Sequence, residues 1–419
     1  LALPAKPANR GCWLRGSSAR NLARSPRRQH RLEERIRLRM PATYLTCALE
    51  VVVQVECLTD CRTANEHAKI PSPWNTGYDQ IGGAPHGFGP VSCATHSKAD
   101  LMIIDFHTHV LAPEDQGQFT GAAFHAGVGA YRNRAVPNTI ENVLEAAEIG
   151  GVDISVISNP LHNMRDMDRE QQLATIERHN RFIAAQQEKY DSIYGFAAAV
   201  PYGDDRFHRE FERAVREDGL KGAWITSSLQ GQYPDDDEAL PFFQLATELD
   251  VPVVIHPPSV GFGEERMRDY RLASSIGRPM DGALAIARCI VRGLFEKFPT
   301  LKLVGTHLGG GICEMIGRMD YAYRLQDEAY FLGKYEPMLI KHPPSHYLKM
   351  MYLESTCYWL PGARCALETV GVDRFVFGTD APPLKSLKQE GVQLIRDLKL
   401  LPTDERKVYY ENAKKLLKI

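Results

Sequence analysis

The sequence predicts an α/β protein, a (β/α)₈ TIM barrel preceded by an N-terminal extension. Two observations carry this. From Met102 onward, short apolar runs rich in Val, Ile and Phe alternate with longer segments of helical periodicity, which is how βα units read in sequence. Eight such repeats of buried, continuously apolar strands favour a parallel sheet that closes on itself over an open one.

The predicted strands are 102–109 (MIIDFHTH), 153–159 (DISVISN), 193–200 (IYGFAAAV), 220–226 (LKGAWIT), 251–257 (VPVVIHP), 301–307 (LKLVGTH), 351–356 (MYLEST) and 374–380 (RFVFGTD). Between them, TIENVLEAAEIG, REQQLATIERHNRFIAAQQEKY, FHREFERAVRE and LPFFQLATEL read as helices, each stopping near a Gly or a polar turn. Domain organisation follows: 102–419 forms a catalytic barrel, and 1–101 forms an extension. That extension opens with an Arg-rich stretch from Arg10 to Arg39 and runs on through PSPWNTGYDQIGGAPHGFGP without sustained periodicity, so it is expected to be disordered or non-native. An organelle transit peptide fits poorly with Glu33, Glu34 and the missing initiating Met. The expectation is that the native protein starts at Met102 and that the upstream residues are an extended reading frame or appended sequence.

Composition narrows the function classes. A hydrophobic fraction of 44% and a charged fraction of 24% are ordinary for a globular enzyme, and a net charge of -2 exerts no pull on nucleic acid, so a small-molecule partner is expected. Nine cysteines (Cys12, Cys47, Cys57, Cys61, Cys93, Cys289, Cys313, Cys357, Cys365) form no C-x-x-C pair, and their odd number favours reduced thiols in the cytoplasm. The longest early apolar run, 44–57, is broken by Glu50 and is too short to span a bilayer, so no membrane association and no secretory signal are expected.

In a parallel barrel the reacting groups gather at the C-terminal ends of the strands. His107 and His109 end the first predicted strand, His256 the fifth, His307 the sixth and Asp380 the eighth. Residues i and i+2 of a strand share a face, so the H-x-H pair can aim both imidazoles at one metal ion. Taken singly, His256 or His307 reads equally as a hydrogen-bonded core residue, and Asp380 as a helix N-cap. Together, five costly polar groups at one end of a barrel point to a metal site. A nucleotide-binding doubly wound sheet is excluded, because His-Thr-His stands where the glycine-rich phosphate loop belongs.

These residues resemble the metal-dependent amidohydrolase superfamily, in particular its aminocarboxymuconate-semialdehyde decarboxylase-like branch. DFHTH is similar to that branch's D-x-H-x-H, VPVVIHP to its I-x-V-H-P, GTHLGGGICEMIGRMD to its H-x-G-G followed eleven residues later by Arg, and FGTDAP to its G-[ST]-D-x-P. The resemblance implies that His107, His109, His256 and Asp380 ligate one divalent metal, usually zinc with manganese as the alternative, and that His307 works as acid and base, with Asp380 also managing protons. It implies one ion and not two, because the fourth strand ends in TSS where binuclear relatives carry a bridging Lys or Glu. Arg318 matches the family's substrate-gripping Arg, which acts across a homodimer; a surface ion pair with Asp320 or Glu314 is the plainer reading of the same residue. Arg132 and Arg134 fall near the family's other substrate Arg.

The implied substrate is a small unsaturated or aromatic carboxylic acid and the implied reaction decarboxylation. The same metal set serves hydrolysis of a lactone, amide or carbon–carbon bond equally well, and a barrel that only binds would be expected to have lost a ligand. The segment HPPSVGFGEERM and the APP after Asp380 depart from the close decarboxylases and would change the substrate pocket. Glu354, ending the seventh strand, is placed to hydrogen-bond a ligating His. His125, His162, His179 and His208 read as surface or supporting residues.

Overall fold

The computed structural model describes residues 101–116, 138–161, 164–258, 261–267, 269–328, 336–384 and 387–419. The expected extension lies, but for Leu101, outside the described residues, as do Arg132, Arg134, His125 and His162.

Strands β1 (Ile104–His109), β2 (Ile154–Ser158), β3 (Ile193–Gly195), β4 (Ala197–Ala198), β5 (Ala223–Thr226), β6 (Pro252–His256), β7 (Lys302–Gly305), β8 (Tyr352–Glu354) and β9 (Phe375–Val376) all pair in parallel and in chain order. The third predicted strand is interrupted at Phe196, whose N–H turns to Ile157 O (3.0 Å) while the next residue, Ala197, bonds Gly222 O (2.8 Å). β3 and β4 are thus two halves of one barrel strand, which restores the predicted eight. Phe106 N–H bonds Phe377 O (2.9 Å), Asp380 N–H bonds His107 O (2.9 Å) and His109 N–H bonds Ala381 O (2.7 Å), so the chain after β9 closes the barrel onto β1. The strands are shorter than their apolar runs, because regular pairing ends where the chain bends toward the mouth.

The principal helices are α1 (Ile140–Gly150), α2 (Arg169–Lys189), α3 (Asp205–Arg216), α4 (Leu240–Glu248), α5 (Arg278–Val291), α6 (Ile312–Arg324), α7 (Leu360–Val370) and α8 (Lys388–Asp397). Their starts are written locally: Thr139 caps α1, and Asp168 with Gln171 forms a reciprocal capping box on α2. Every residue of β1, β5 and β6 is buried, as parallel strands covered on both faces require.

One buried ion pair reinforces the closure. Lys388, the first residue of α8, places its Nζ 2.8 Å from Asp105 Oδ2, with both side chains fully buried. Asp105 also accepts from the N–H groups of His107 and Thr379, 3.1 Å each, and from the Thr379 hydroxyl. It therefore ties β1 to the segment leading to Asp380. A second buried carboxylate, Asp115, holds His179 Nε2 at 2.9 Å and Arg178 at 2.7 Å, so His179 is a buried helix anchor and not a surface residue. Its polar neighbours Glu177, Arg178 and Asn180 masked that burial in the sequence, although Asn180 is itself buried.

Candidate metal centre

β1 carries His107 and His109 to the mouth, where their rings lie edge to face with centroids 4.9 Å apart. The Trp224 ring of β5 packs against both, and against His256 at the end of β6. Ligand atoms of His107, His109, His256 and Asp380 all lie within 4.8 Å of one another. Asp380 Oδ1 stands 3.0 Å from His109 Nε2 and 3.7 Å from His107 Nε2. Asp380 lies beyond β9 with a left-handed φ of 56° and caps no helix among the described residues, since the next, α8, starts only at Lys388.

The hydrogen bonds fix which nitrogens face inward. His107 Nδ1 donates to Glu354 Oε2 (2.9 Å). Ser158 Oγ gives its proton to Thr108 O (2.9 Å) and so accepts from His109 Nδ1 (3.1 Å). Both rings then present bare Nε2 lone pairs to the same space, only 3.1 Å apart, with a carboxylate oxygen alongside. Opposed lone pairs and an anion in a buried pocket favour a positive charge between them, which makes the cluster a candidate metal site. Three imidazoles and a carboxylate form a donor set suited to zinc, manganese and related divalent ions.

Electrostatics agree. Burial lowers the pKa of His107, but Glu354, with Asp380 and Asp105, outweighs it and raises it above the ordinary value, the mark of a place that calls for positive charge. Burial drives His109 down and His256 well down, so both favour the neutral, ligating form. Burial would raise Asp380, yet His109, His107 and His307 hold its carboxyl far below the usual range.

His307 sits just outside this group, its ring centroid 5.2 Å from that of His107 and 5.5 Å from that of His256. It does not end a strand: β7 stops at Gly305, and His307 opens a turn in which residues 307–311 all have positive φ, from 53° at His307 to 92° at Gly311. Gly310 is forced there, since a Cβ would lie 1.9 Å from the carbonyl oxygen of Pro279 on α5. Burial pulls the His307 pKa down to about 4, so the ring is neutral at pH 7. Glu354 Oε2 also accepts the His307 N–H (3.1 Å), and its Oε1 takes the Thr356 N–H (2.6 Å) and hydroxyl. Gly378 leaves the room, for a Cβ there would meet Glu354 Oε1 at 2.4 Å. Glu354 is therefore the hub that sets both His107 and His307.

Next to the strand ends of β5 and β6 opens a cavity of about 310 Å³ lined by Thr226, Ser228, Tyr233, Pro258, Phe262 and Asp281 among others, and by none of the four clustered residues or His307. Thr226 lies opposite His256 in the β5–β6 register. Buried Asp281 accepts hydroxyls from Ser227 (2.5 Å), Ser228 (2.8 Å) and Tyr233 (2.8 Å), so the TSS at the end of β5 serves the cavity wall. Sequence reasoning missed Arg278, which opens α5 and donates from Nε to Pro258 O (3.0 Å). Arg318 is exposed on α6 and pairs with neither Asp320 nor Glu314 among the described residues; Asp320 instead accepts the Ser345 N–H (2.9 Å).

The amidohydrolase family model matches residues 104–419. The chain belongs to the amidohydrolase family. It is 29% identical over 194 residues to 2-amino-3-carboxymuconate-6-semialdehyde decarboxylase of Dictyostelium discoideum, a match covering 46% of this chain and 51% of that one, so it spans only about half the length of that relative. It is 26% identical over 265 residues to gamma-resorcylate decarboxylase of Polaromonas sp. JS666, covering 58% of this chain and 76% of that one. Among solved structures, dihydroxybenzoic acid decarboxylase of Polaromonas sp. JS666, with bound manganese and 2-nitroresorcinol, superposes with a TM-score of 0.64 at 23% identity, covering 76% of this chain and 97% of that one. This likeness establishes the fold of an amidohydrolase barrel. The chain is an enzyme of this superfamily, and no helix among its described residues is long and apolar enough to cross a membrane.

Proposed function

We propose that this chain is a metal-dependent decarboxylase of a small aromatic carboxylic acid, using one divalent ion, zinc or manganese. The observation that carries the reading is the cation-favouring cluster of His107, His109, His256 and Asp380, with a neutral imidazole, His307, beside it but outside it. Support comes from the three relatives described above, which are named as decarboxylases and one of which was solved with bound manganese. A cavity of about 310 Å³ is at the small end for ligand sites and suits a single-ring acid.

A divalent ion in this cluster would supply the positive charge that orients the acid and stabilises negative charge developing on it. Glu354 keeps the His107 lone pair turned inward, and Ser158 does the same for His109. His307 carries the proton. A bound anion favours its protonated form, and it delivers that proton to the ring carbon bearing the carboxylate. The carbon–carbon bond then breaks, its electron pair restores the ring, and neutral CO₂ departs.

Arg318 is assigned to the acid site of a second copy in a homodimer, which its exposure, with no ion pair among the described residues, permits. Arg132 and Arg134 are proposed as further substrate contacts. A cytoplasmic location belongs to the same reading, and Cys289, Cys313, Cys357 and Cys365 are all free.

The test is CO₂ release from a panel of aromatic and unsaturated acids, run with metal analysis of the same preparation. His307→Asn is expected to abolish release while bound metal stays near one equivalent; loss of the metal as well would make His307 a ligand. Metal without CO₂ from any acid would move the assignment to hydrolysis, which the same cluster can serve.

A further inference from the structure

We propose that Arg278 is an anion-recognising residue that this subunit itself adds to the site, its guanidinium gripping the carboxylate of an aromatic acid whose ring fills the cavity beside His256. The proposal rests on the decarboxylase reading and adds the side chain that selects for acids.

Placement comes first. Arg278 opens α5, and the missing side chain of Gly310 lets the first turn of that helix press against the turn bearing His307. Its Nε is spent on the carbonyl of Pro258, a residue of the cavity wall two positions after His256. That bond fixes the plane of the guanidinium and leaves the two terminal nitrogens, with four N–H donors, for a bidentate partner.

Among the described residues no carboxylate lies within ion-pair distance of Arg278. Burial lowers its pKa from the usual arginine value, and Asp380, across the site, is the acid that opposes the fall. The contrast with Arg165, an arginine that lines the cavity itself, is direct: Arg165 stands 3.5 Å from Glu264 and 3.9 Å from Asp166. Arg278 is half-buried, and a guanidinium partly drawn out of water without an acid is disfavoured until an anion docks.

Because the carboxylate leaves as neutral CO₂, a grip that is strongest on the anion supports binding more than the chemical step.

The experiment is calorimetric titration of manganese-loaded protein with two acids and their carboxylate-free counterparts: 2-hydroxybenzoate against phenol, and 2,6-dihydroxybenzoate against resorcinol. Wild type is expected to bind the acids more tightly than the phenols. Arg278→Met should weaken acid binding by about ten- to a hundred-fold, the worth of charge-assisted hydrogen bonds, and leave the phenols unchanged. Arg278→Lys keeps the charge but loses the fork, so it should fall between the two; it also carries the test should the Met variant fold poorly. Equal weakening of acids and phenols would mean that Arg278 only braces the Pro258 segment. Undiminished acid binding in both variants, or no preference for acids in wild type, would overturn the proposal. Arg278-dependent acid binding without CO₂ from any acid would leave the anion site standing and refute the decarboxylase reading alone.

Discussion

Glu354→Gln is the substitution that best tests the architecture of the metal centre, because it changes one oxygen and leaves every ligand in place. The carboxylate accepts four hydrogen bonds, from His107 Nδ1, the His307 N–H, the Thr356 N–H and the Thr356 hydroxyl. An amide has one acceptor oxygen. If that oxygen stays on the His107 side, the NH₂ group meets the Thr356 N–H at 2.6 Å and two donors oppose each other. If it turns the other way, His107 loses its acceptor, and the tautomer that turns a bare Nε2 lone pair inward is no longer favoured. Either arrangement leaves a buried donor unsatisfied, worth about 1–3 kcal/mol. The loss of negative charge behind a ligating imidazole typically weakens metal affinity about ten- to a hundred-fold, or roughly 1.4–2.8 kcal/mol. Bound zinc or manganese, measured by plasma mass spectrometry against a graded series of competing chelator, should show that shift, and the metal-free protein should melt a few degrees lower. Metal affinity within twofold of wild type would refute the argument that Glu354 sets the His107 tautomer.

Other expectations follow from buried charge. Lys388→Met strands Asp105 without its cation in the wall of the barrel and should cost about 3–5 kcal/mol in denaturant unfolding, whereas the double variant with Asp105→Asn should recover part of that; a single-variant cost under about 1 kcal/mol would show that the pair is not what holds the closure. Burial alone would raise the Asp115 carboxyl, but His179 and then Arg178 hold its pKa below the ordinary value. A carboxyl depressed in the folded state stabilises above its unfolded pKa of about 3.9 and loses that contribution as pH falls through the folded value. The gap in melting temperature between wild type and Asp115→Asn should therefore be full at pH 6 and shrink below about pH 4; a gap that widens on acidification would contradict the assignment.

The barrel was legible because its strands are short, apolar and regularly spaced, and because the H-x-H pair marks the first of them. His256, at the end of a five-residue buried strand, was equally plain. Other features resisted for physical reasons. The eighth predicted strand ran to Asp380, yet regular pairing stops at Val376, and the rest of the run is held to β1 by single hydrogen bonds that leave no periodic trace. His307 looked like a strand end because glycine-rich left-handed turns begin with the same apolar approach. Arg278 was hidden by distance. It follows β6 by more than twenty residues, and only the packing of α5 against the His307 turn returns it to the mouth. The Asp105–Lys388 pair joins opposite ends of the barrel sequence, and no local pattern announces such a contact.

The turn at residues 307–311 carries one more consequence. Left-handed backbone costs an L-residue about 1–2 kcal/mol, and His307 and Leu308 both adopt it ahead of three glycines that do so freely. Against a typical net stability of about 5–15 kcal/mol this is a substantial charge on the fold. A chain shaped by folding alone would place glycine at 307 as well and gain stability by discarding the imidazole. Stability and activity therefore pull in opposite directions at His307, as they do at Asp380 with its φ of 56°, and a selection for thermal robustness that ignored turnover would be drawn to remove such residues.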